Sequence, residues 1–441
     1  MIKKYFSNFF LLLSLIFLFY TFYKSEIYWD GKIRYYYYKY YIFSIFLFLL
    51  SLISYLLNEK IKIYLSIFFF SITFALYFFE GYLTIKDIQK KLLKKDLIDF
   101  KEQTYKEKTG NEYDKRPKFK IYNDLKDEFN DIVVPITPKY FLYEKVDDFF
   151  PLSNISNSKT VYCNENGYYQ IYNTDRYGFN NPDSEWDNEV IDFLIIGDSF
   201  GEGACVNSPN DIASILRRLT NKVIINLSIG GNGPLIEYAT LREYLPNNVK
   251  NILWFYYEGN DLTDLNKELE NKVLHKYLTD LSFSQNLINN QKKIDEIKKL
   301  FLDREITNIK KDKDKLSFKV LQFFKIYKTR ISMFKKNETN SKIDELRNIL
   351  KLSMRLAKKN DSKIYFIYLP EYYRYKSKYK KNDYKDIKII LDDLGIELID
   401  IHKLVFEKEK DPLSLFPFGL PGHYNEDGYE KISKSVYKFI D

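Results

Sequence analysis

The sequence predicts an α/β protein: a three-layer, doubly wound parallel sheet with helices on both faces, preceded by three transmembrane helices and a small β-rich extension. Three observations predict it. Three long runs without a charged side chain lie within the first 83 positions. A buried-strand pattern in VIDFLIIGDSFGEGACV, 190–206, stops at Gly197 and leaves Ser199 at the carboxyl end of a strand. From there to the end of the chain, short apolar runs alternate with amphipathic ones, the rhythm that builds such a sheet.

The uncharged runs are 5–23, 41–57 and 63–79. Their lengths match the hydrocarbon thickness of a bilayer at the helical rise. The first has two lysines ahead of it but no small-residue cleavage site behind it, so it reads as an uncleaved anchor of a multi-pass membrane protein. Tyrosines and lysines of 35–41 sit at the mouth of the second run, as at a membrane interface. Orientation is contested within the sequence. With the downstream domain outside, the inner ends carry Lys3, Lys4, Lys60 and Lys62, and the outer ends carry Lys24, Lys32, Arg34 and Lys39, against the usual charge rule.

A chain of 441 residues needs more than one unit. The texture divides it into a membrane region 1–83, a charged linker 84–117 that reads as a solvated helix or stalk, a β-rich extension 118–186, and an α/β domain 187–441. Basic residues number 68 and acidic ones 60, intermixed throughout, so the net charge of +8 describes a solvated surface and not a nucleic-acid stripe. The two cysteines, Cys163 and Cys205, have no further Cys or His at metal-ligand spacing, and no metal or cofactor is expected. They are either a disulfide pinning the extension beside Ser199, which would indicate an oxidising compartment, or two free buried thiols.

Within the α/β domain, strand 191–196 is followed by helix 211–219, strand 222–226, a helix opened by Pro234, and strand 251–256. A long charged segment, 265–340, interrupts the rhythm and has the length of a lid, a partner surface or an insertion. Helix 342–359, strand 363–368, helix 384–393, strand 396–401 and helix 426–440 complete the pattern.

Four blocks stand in order: Gly197-Asp198-Ser199, the stretch NLSIGGNG at 226–233, Gly259-Asn260-Asp261, and Gly422-His423-Tyr424-Asn425. Together they resemble the SGNH (GDSL-type) hydrolase superfamily over 192–441, in a membrane-anchored, bacterial-type form. The cluster of Asp175, Gly178, Phe179 and Asn180 resembles the lead-in of such members, although ordinary turn chemistry also accounts for it. The resemblance implies a flavodoxin-like sheet and acyl chemistry, with Ser199 as nucleophile and His423 as base. It also implies an oxyanion hole of the Ser199 and Gly231 amides and the Asn260 side chain.

That assignment is chemically coherent. A serine hydroxyl needs a neighbouring proton acceptor, and imidazole suits that task at neutral pH. His275 lies in a charged helical stretch and His402 directly follows a strand, so both read as surface or packing residues. Taken singly, Gly231 is equally a flexible turn and Asn260 equally a helix cap. One position departs from the family pattern: where an aspartate stands three residues before the base, this chain has Leu420. Asp411, Asp400 or a carbonyl near Leu420 would orient the imidazole, or the site would run as a dyad.

The resulting expectation is a membrane-anchored serine esterase or O-acyltransferase, its domain extracytoplasmic, acting on acylated small molecules or on O-acetyl groups of surface carbohydrate. A transferase would need a membrane acyltransferase partner to supply acyl groups. The competing expectation is a non-catalytic, membrane-tethered module of the same fold, for which Leu420 is the best support.

Overall fold

The computed structural model describes residues 2–31, 34–144, 148–311, 316–334, 342–376, 379 and 383–440. The chain forms two compact units, one of residues 1–93 and 314–336, the other of 94–313 and 337–441.

Among the described residues, three helices are long and apolar enough to cross a membrane: Tyr5–Tyr28, Arg34–Leu56 and Glu59–Thr109. The third continues as one helix to Thr109, so most of the stretch read as a linker is helical, its last part belonging to the second unit. Small hydroxyl side chains let the first two helices approach. Ser14 and Ser51 meet at 3.3 Å, Thr21 and Ser44 at 3.4 Å, and Ser7 donates to the Ser54 carbonyl at 3.2 Å.

Residues 265–340, expected as an insertion of the α/β domain, divide between the units, a correction to that boundary. Helices Leu316–Phe324 and Tyr327–Phe334 belong to the first unit. The reason is Glu80, a carboxylate at the end of the third apolar run that is 1% exposed. It accepts the Lys328 amide at 3.1 Å, the Thr329 amide at 2.8 Å and the Thr329 hydroxyl at 2.8 Å, the free donors of a helix's first turn. Lys328 Nζ reaches Asp87 at 2.9 Å, and the Tyr77 hydroxyl donates to the Phe324 carbonyl at 2.8 Å.

The second unit holds two sheets. The small one joins β1 (Ile132–Val133), β2 (Lys159–Val161) and β3 (Ile171–Asn173), β1 running parallel and β3 antiparallel to β2. The large one contains β4 (Ile191–Gly197), β5 (Ile224–Asn226), β6 (Val249–Tyr257), β7 (Lys363–Leu369) and β8 (Glu397–Asp400). All its pairs are parallel and its order is β5-β4-β6-β7-β8. The chain therefore leaves β4 to one side for β5 and returns to the other for β6. The carboxyl end of β4 is the switch point where open parallel sheets form their crevice.

Alternation along the strands feeds two cores. Leu194, Ile196, Trp254 and Phe366 pack toward helices Pro234–Tyr244 and Ile343–Lys359. Phe193, Ile195, Phe255 and Ile367 pack toward helices Ile212–Thr220 and Glu426–Ile440. The extension does not stand apart: Ile132, Ile136, Phe141, Phe150 and Val161 belong to the first of these cores. It is also stitched to the large sheet. Asp175 Oδ1 accepts the Tyr177 and Phe179 amides at 2.9 Å each, and its Oδ2 accepts Asn181 at 2.9 Å and Trp186 Nε1 at 2.7 Å. Asn181 in turn bonds both backbone groups of Asn226 on β5, at 3.0 and 2.8 Å.

Candidate active site

Ser199 opens the short helix Ser199–Glu202 directly beyond β4, with Asp198 capping it by accepting the Phe200 amide at 2.8 Å. Tight packing explains the glycine that follows: a Cβ at Gly201 would stand 2.7 Å from Ser228 Oγ. His423 sits in the loop before helix Glu426–Ile440, its ring 4.7 Å from that of Phe200. The two expected partners meet. His423 Nε2 lies 2.8 Å from Ser199 Oγ across 224 positions of sequence.

The group facing the other ring nitrogen is Glu165, from the extension between β2 and β3. Its Oε2 is 3.1 Å from His423 Nδ1 and accepts the His423 backbone N–H at 2.6 Å. This corrects the third positions considered from sequence. Asp411 accepts the Leu413 amide at 3.1 Å, and Asp400 takes the Tyr384 hydroxyl and the Lys403 amide, so each caps its own local turn. Neither a carbonyl near Leu420 nor a bare dyad describes the arrangement. His402 bonds Tyr375 at 2.9 Å and Glu407 at 3.2 Å, away from Ser199, and His275 is exposed on helix Lys272–Thr279.

Cys163 and Cys205 form a disulfide, which settles the choice left open between bond and thiols. It joins the segment bearing Glu165 to the loop after Ser199, and Cys205 Sγ stands 3.7 Å from His423 Nδ1. Asn166 donates to the Cys205 carbonyl at 2.9 Å, and the Cys205 amide donates to Gln170 at 2.6 Å. Glu165, Cys205 and His423 have ligand atoms within 4.8 Å of one another, a metal-like spacing. With the Cys205 sulfur spent in a disulfide, the group reads instead as a hydrogen-bonded imidazole and carboxylate beside a covalent strap.

The electrostatics suit a general base. Burial disfavours the imidazolium, but the Glu165 hydrogen bond and charge, with Asp198 and Glu202 behind them, outweigh it and raise the His423 pKa above its ordinary value. Burial alone would raise Glu165, yet its bonds to His423 hold it below the usual carboxylate range. Burial pushes Asp198 up to about 6 and Glu202 up to about 7.

The expected oxyanion donors also stand at the sheet's carboxyl edge. Gly231 has φ +82°, a conformation that favours glycine, and its neighbour Gly230 donates its amide to Glu202 at 2.7 Å. Glu202 is held by the Tyr172 hydroxyl of the extension at 2.9 Å. Asn260 precedes helix Asp261–Glu268 without a side-chain cap bond, against the plain capping reading, and its Nδ2 donates to Asp264 at 2.8 Å. Two residues at the site escaped sequence reasoning: Glu165 and Asp264. Glu165 lies 258 positions from His423 in sequence, and the helical offset from Asn260 to Asp264 is an ordinary one.

No family model matches this chain, and no curated protein matches it either. Solved structures do match. One is described as a lipolytic protein of the G-D-S-L family from Desulfitobacterium hafniense DCB-2, 12% identical, covering 56% of this chain and 98% of its own, with a TM-score of 0.30. An acetyl xylan esterase, AlAXEase, is 13% identical over 56% of this chain and 100% of its own, TM-score 0.33. A lipase/acylhydrolase from Enterococcus faecalis is 12% identical over 57% of this chain and 95% of its own, TM-score 0.32. At such scores the functional argument rests on the site itself.

Proposed function

We propose that this chain is a membrane-anchored serine esterase or O-acyltransferase of SGNH type, built on a doubly wound three-layer sheet. The observation that carries the reading is the line from Ser199 Oγ to His423 Nε2 at 2.8 Å and from His423 Nδ1 to Glu165 at 3.1 Å. It has the order of nucleophile, base and orienting carboxylate.

In the reaction, Ser199 Oγ attacks the ester carbonyl carbon while His423 Nε2 takes its proton, and Glu165 stabilises the imidazolium. The Ser199 and Gly231 amides and Asn260 Nδ2 donate to the oxyanion. Collapse of the tetrahedral intermediate breaks the bond to the leaving alcohol, which takes the proton from His423, and an acyl group remains on Ser199. Water then attacks for hydrolysis, or a sugar hydroxyl for transfer, with His423 again accepting the proton; the bond from Ser199 Oγ to the acyl carbon then breaks, and His423 returns the proton to Oγ.

The Cys163–Cys205 disulfide supports an extracytoplasmic domain, since such bonds persist in oxidising compartments. The choice of O-acetylated surface carbohydrate as substrate rests on the family resemblance, and transfer would require a membrane partner supplying acyl groups. A silent module loses its chief support, because Glu165 supplies beside His423 Nδ1 a carboxylate that Leu420 cannot. Turnover of p-nitrophenyl acetate by the detergent-solubilised full chain tests the reading. Activity abolished by Ser199→Ala is expected, and equal rates for both proteins would overturn it.

A further inference from the structure

The Asn260 side chain is an acceptable oxyanion donor only if something fixes its amide plane. An amide NH2 has two hydrogens. One is taken by Asp264 Oδ2 at 2.8 Å, a bond that restrains the plane of the amide and so the direction of the other. Asp264 is itself 3% exposed and would be an uncompensated buried charge without partners. Its Oδ1 accepts Lys139 Nζ at 2.8 Å and Lys267 Nζ at 3.0 Å, and its Oδ2 lies 2.9 Å from Lys139 Nζ.

Lys139 is not part of the α/β region. It belongs to the single turn Pro138–Leu142 of the extension. Its stem lies beside the Gly231 loop: a Cβ on Gly231 would lie 3.0 Å from Lys139 Cδ. One side chain therefore borders both expected donors outside Ser199: its methylenes fill the space beside Gly231, and its ammonium binds the same Asp264 carboxylate that holds Asn260.

We propose that Lys139 is a positioning residue for the oxyanion hole, acting through Asp264 on the Asn260 amide and by its stem on the Gly231 loop. This rests on the esterase reading above. A merely structural role would look different, because Lys139 is 40% exposed and Asp264 keeps Lys267 at 3.0 Å as a second cation when Lys139 is lost. Loss of Lys139 should leave the fold intact and misplace the donors.

The experiment measures kcat and KM for p-nitrophenyl acetate with the full chain carrying Lys139→Met, Lys139→Arg, Asn260→Ala and the Lys139→Met/Asn260→Ala pair. The expected result is a kcat lowered about tenfold to a hundredfold by Lys139→Met, with KM nearly unchanged and the melting temperature preserved. Lys139→Arg should restore most of the rate, and Lys139→Met should cost far less once Asn260 is already alanine. Full kcat in Lys139→Met, or an equal loss with and without Asn260, would overturn the proposal while a Ser199-dependent rate kept the esterase reading standing. If Lys139→Met fails to fold, the Lys139→Arg rate decides: a kcat as low as that of Asn260→Ala contradicts the positioning role, and a near-normal one upholds it.

Discussion

A single oxygen of Glu165 holds His423 twice, accepting its backbone N–H at 2.6 Å and facing its Nδ1 at 3.1 Å. The loop carrying His423 and the raised basicity of its ring thus both involve a residue outside the α/β sheet. Lys139 does the corresponding work beside Gly231 and Asp264. The extension completes the site from two sides.

Glu165→Gln keeps the shape of the side chain and removes its charge. The expected loss in kcat is about 10²- to 10⁴-fold, by analogy with neutralising a triad carboxylate. His423 works as a base only when neutral, and its folded pKa is raised, so the rate should fall as pH drops through a midpoint above 6.5. Without Glu165, burial acts with less opposition and the midpoint should move to lower pH. A pH profile of kcat/KM for both proteins measures the shift.

Asn260→Ala removes one oxyanion donor. The expected cost is about 3 kcal/mol of transition-state stabilisation, seen as a fall of about 10²- to 10³-fold in kcat with a small change in KM. Steady-state kinetics on p-nitrophenyl acetate provides the comparison.

Cys163 and Cys205 are separated by 42 positions, and their bond restrains the segment that carries Glu165. Replacing both by serine should destabilise the unit by about 2–4 kcal/mol. It should also lower Ser199-dependent turnover, because Glu165 loses its tether. Thermal unfolding and activity with and without reductant check the two effects separately.

Glu80→Ala takes away the acceptor for the Lys328 and Thr329 amides. Leaving those donors unpaired costs about 1–3 kcal/mol each, so helices Leu316–Phe324 and Tyr327–Phe334 should loosen from the third apolar helix. Faster maleimide labelling of Phe323→Cys, a half-buried position whose ring packs on Tyr77, is the expected readout in the Glu80→Ala background.

The large sheet was legible because parallel strands buried on both faces read as apolar runs, and β4, β6, β7 and β8 lie where such runs occur. Ser199 and His423 were legible for a local reason: one ends a strand and the other precedes a helix, each within a short motif. Glu165 was not, since it lies 258 positions from its partner and its own neighbourhood, Cys163 to Gly167, reads as a polar turn. The extension looked separable because its strands are short, yet Ile136, Phe141 and Val161 pack into the core beneath the large sheet. Residues 316–334 looked like part of an insertion, and only the burial of Glu80 reveals why they join the membrane-type helices.

The central claim is that Ser199 is an activated nucleophile, and covalent capture tests it most directly. The full chain treated with a fluorophosphonate probe at pH 8 and mapped by peptide mass spectrometry should carry one adduct, on the peptide containing Ser199. Labelling should be lost in Ser199→Ala and slowed in Glu165→Gln. A native, folded protein that takes up no probe, or takes it up equally without Ser199, would contradict the account.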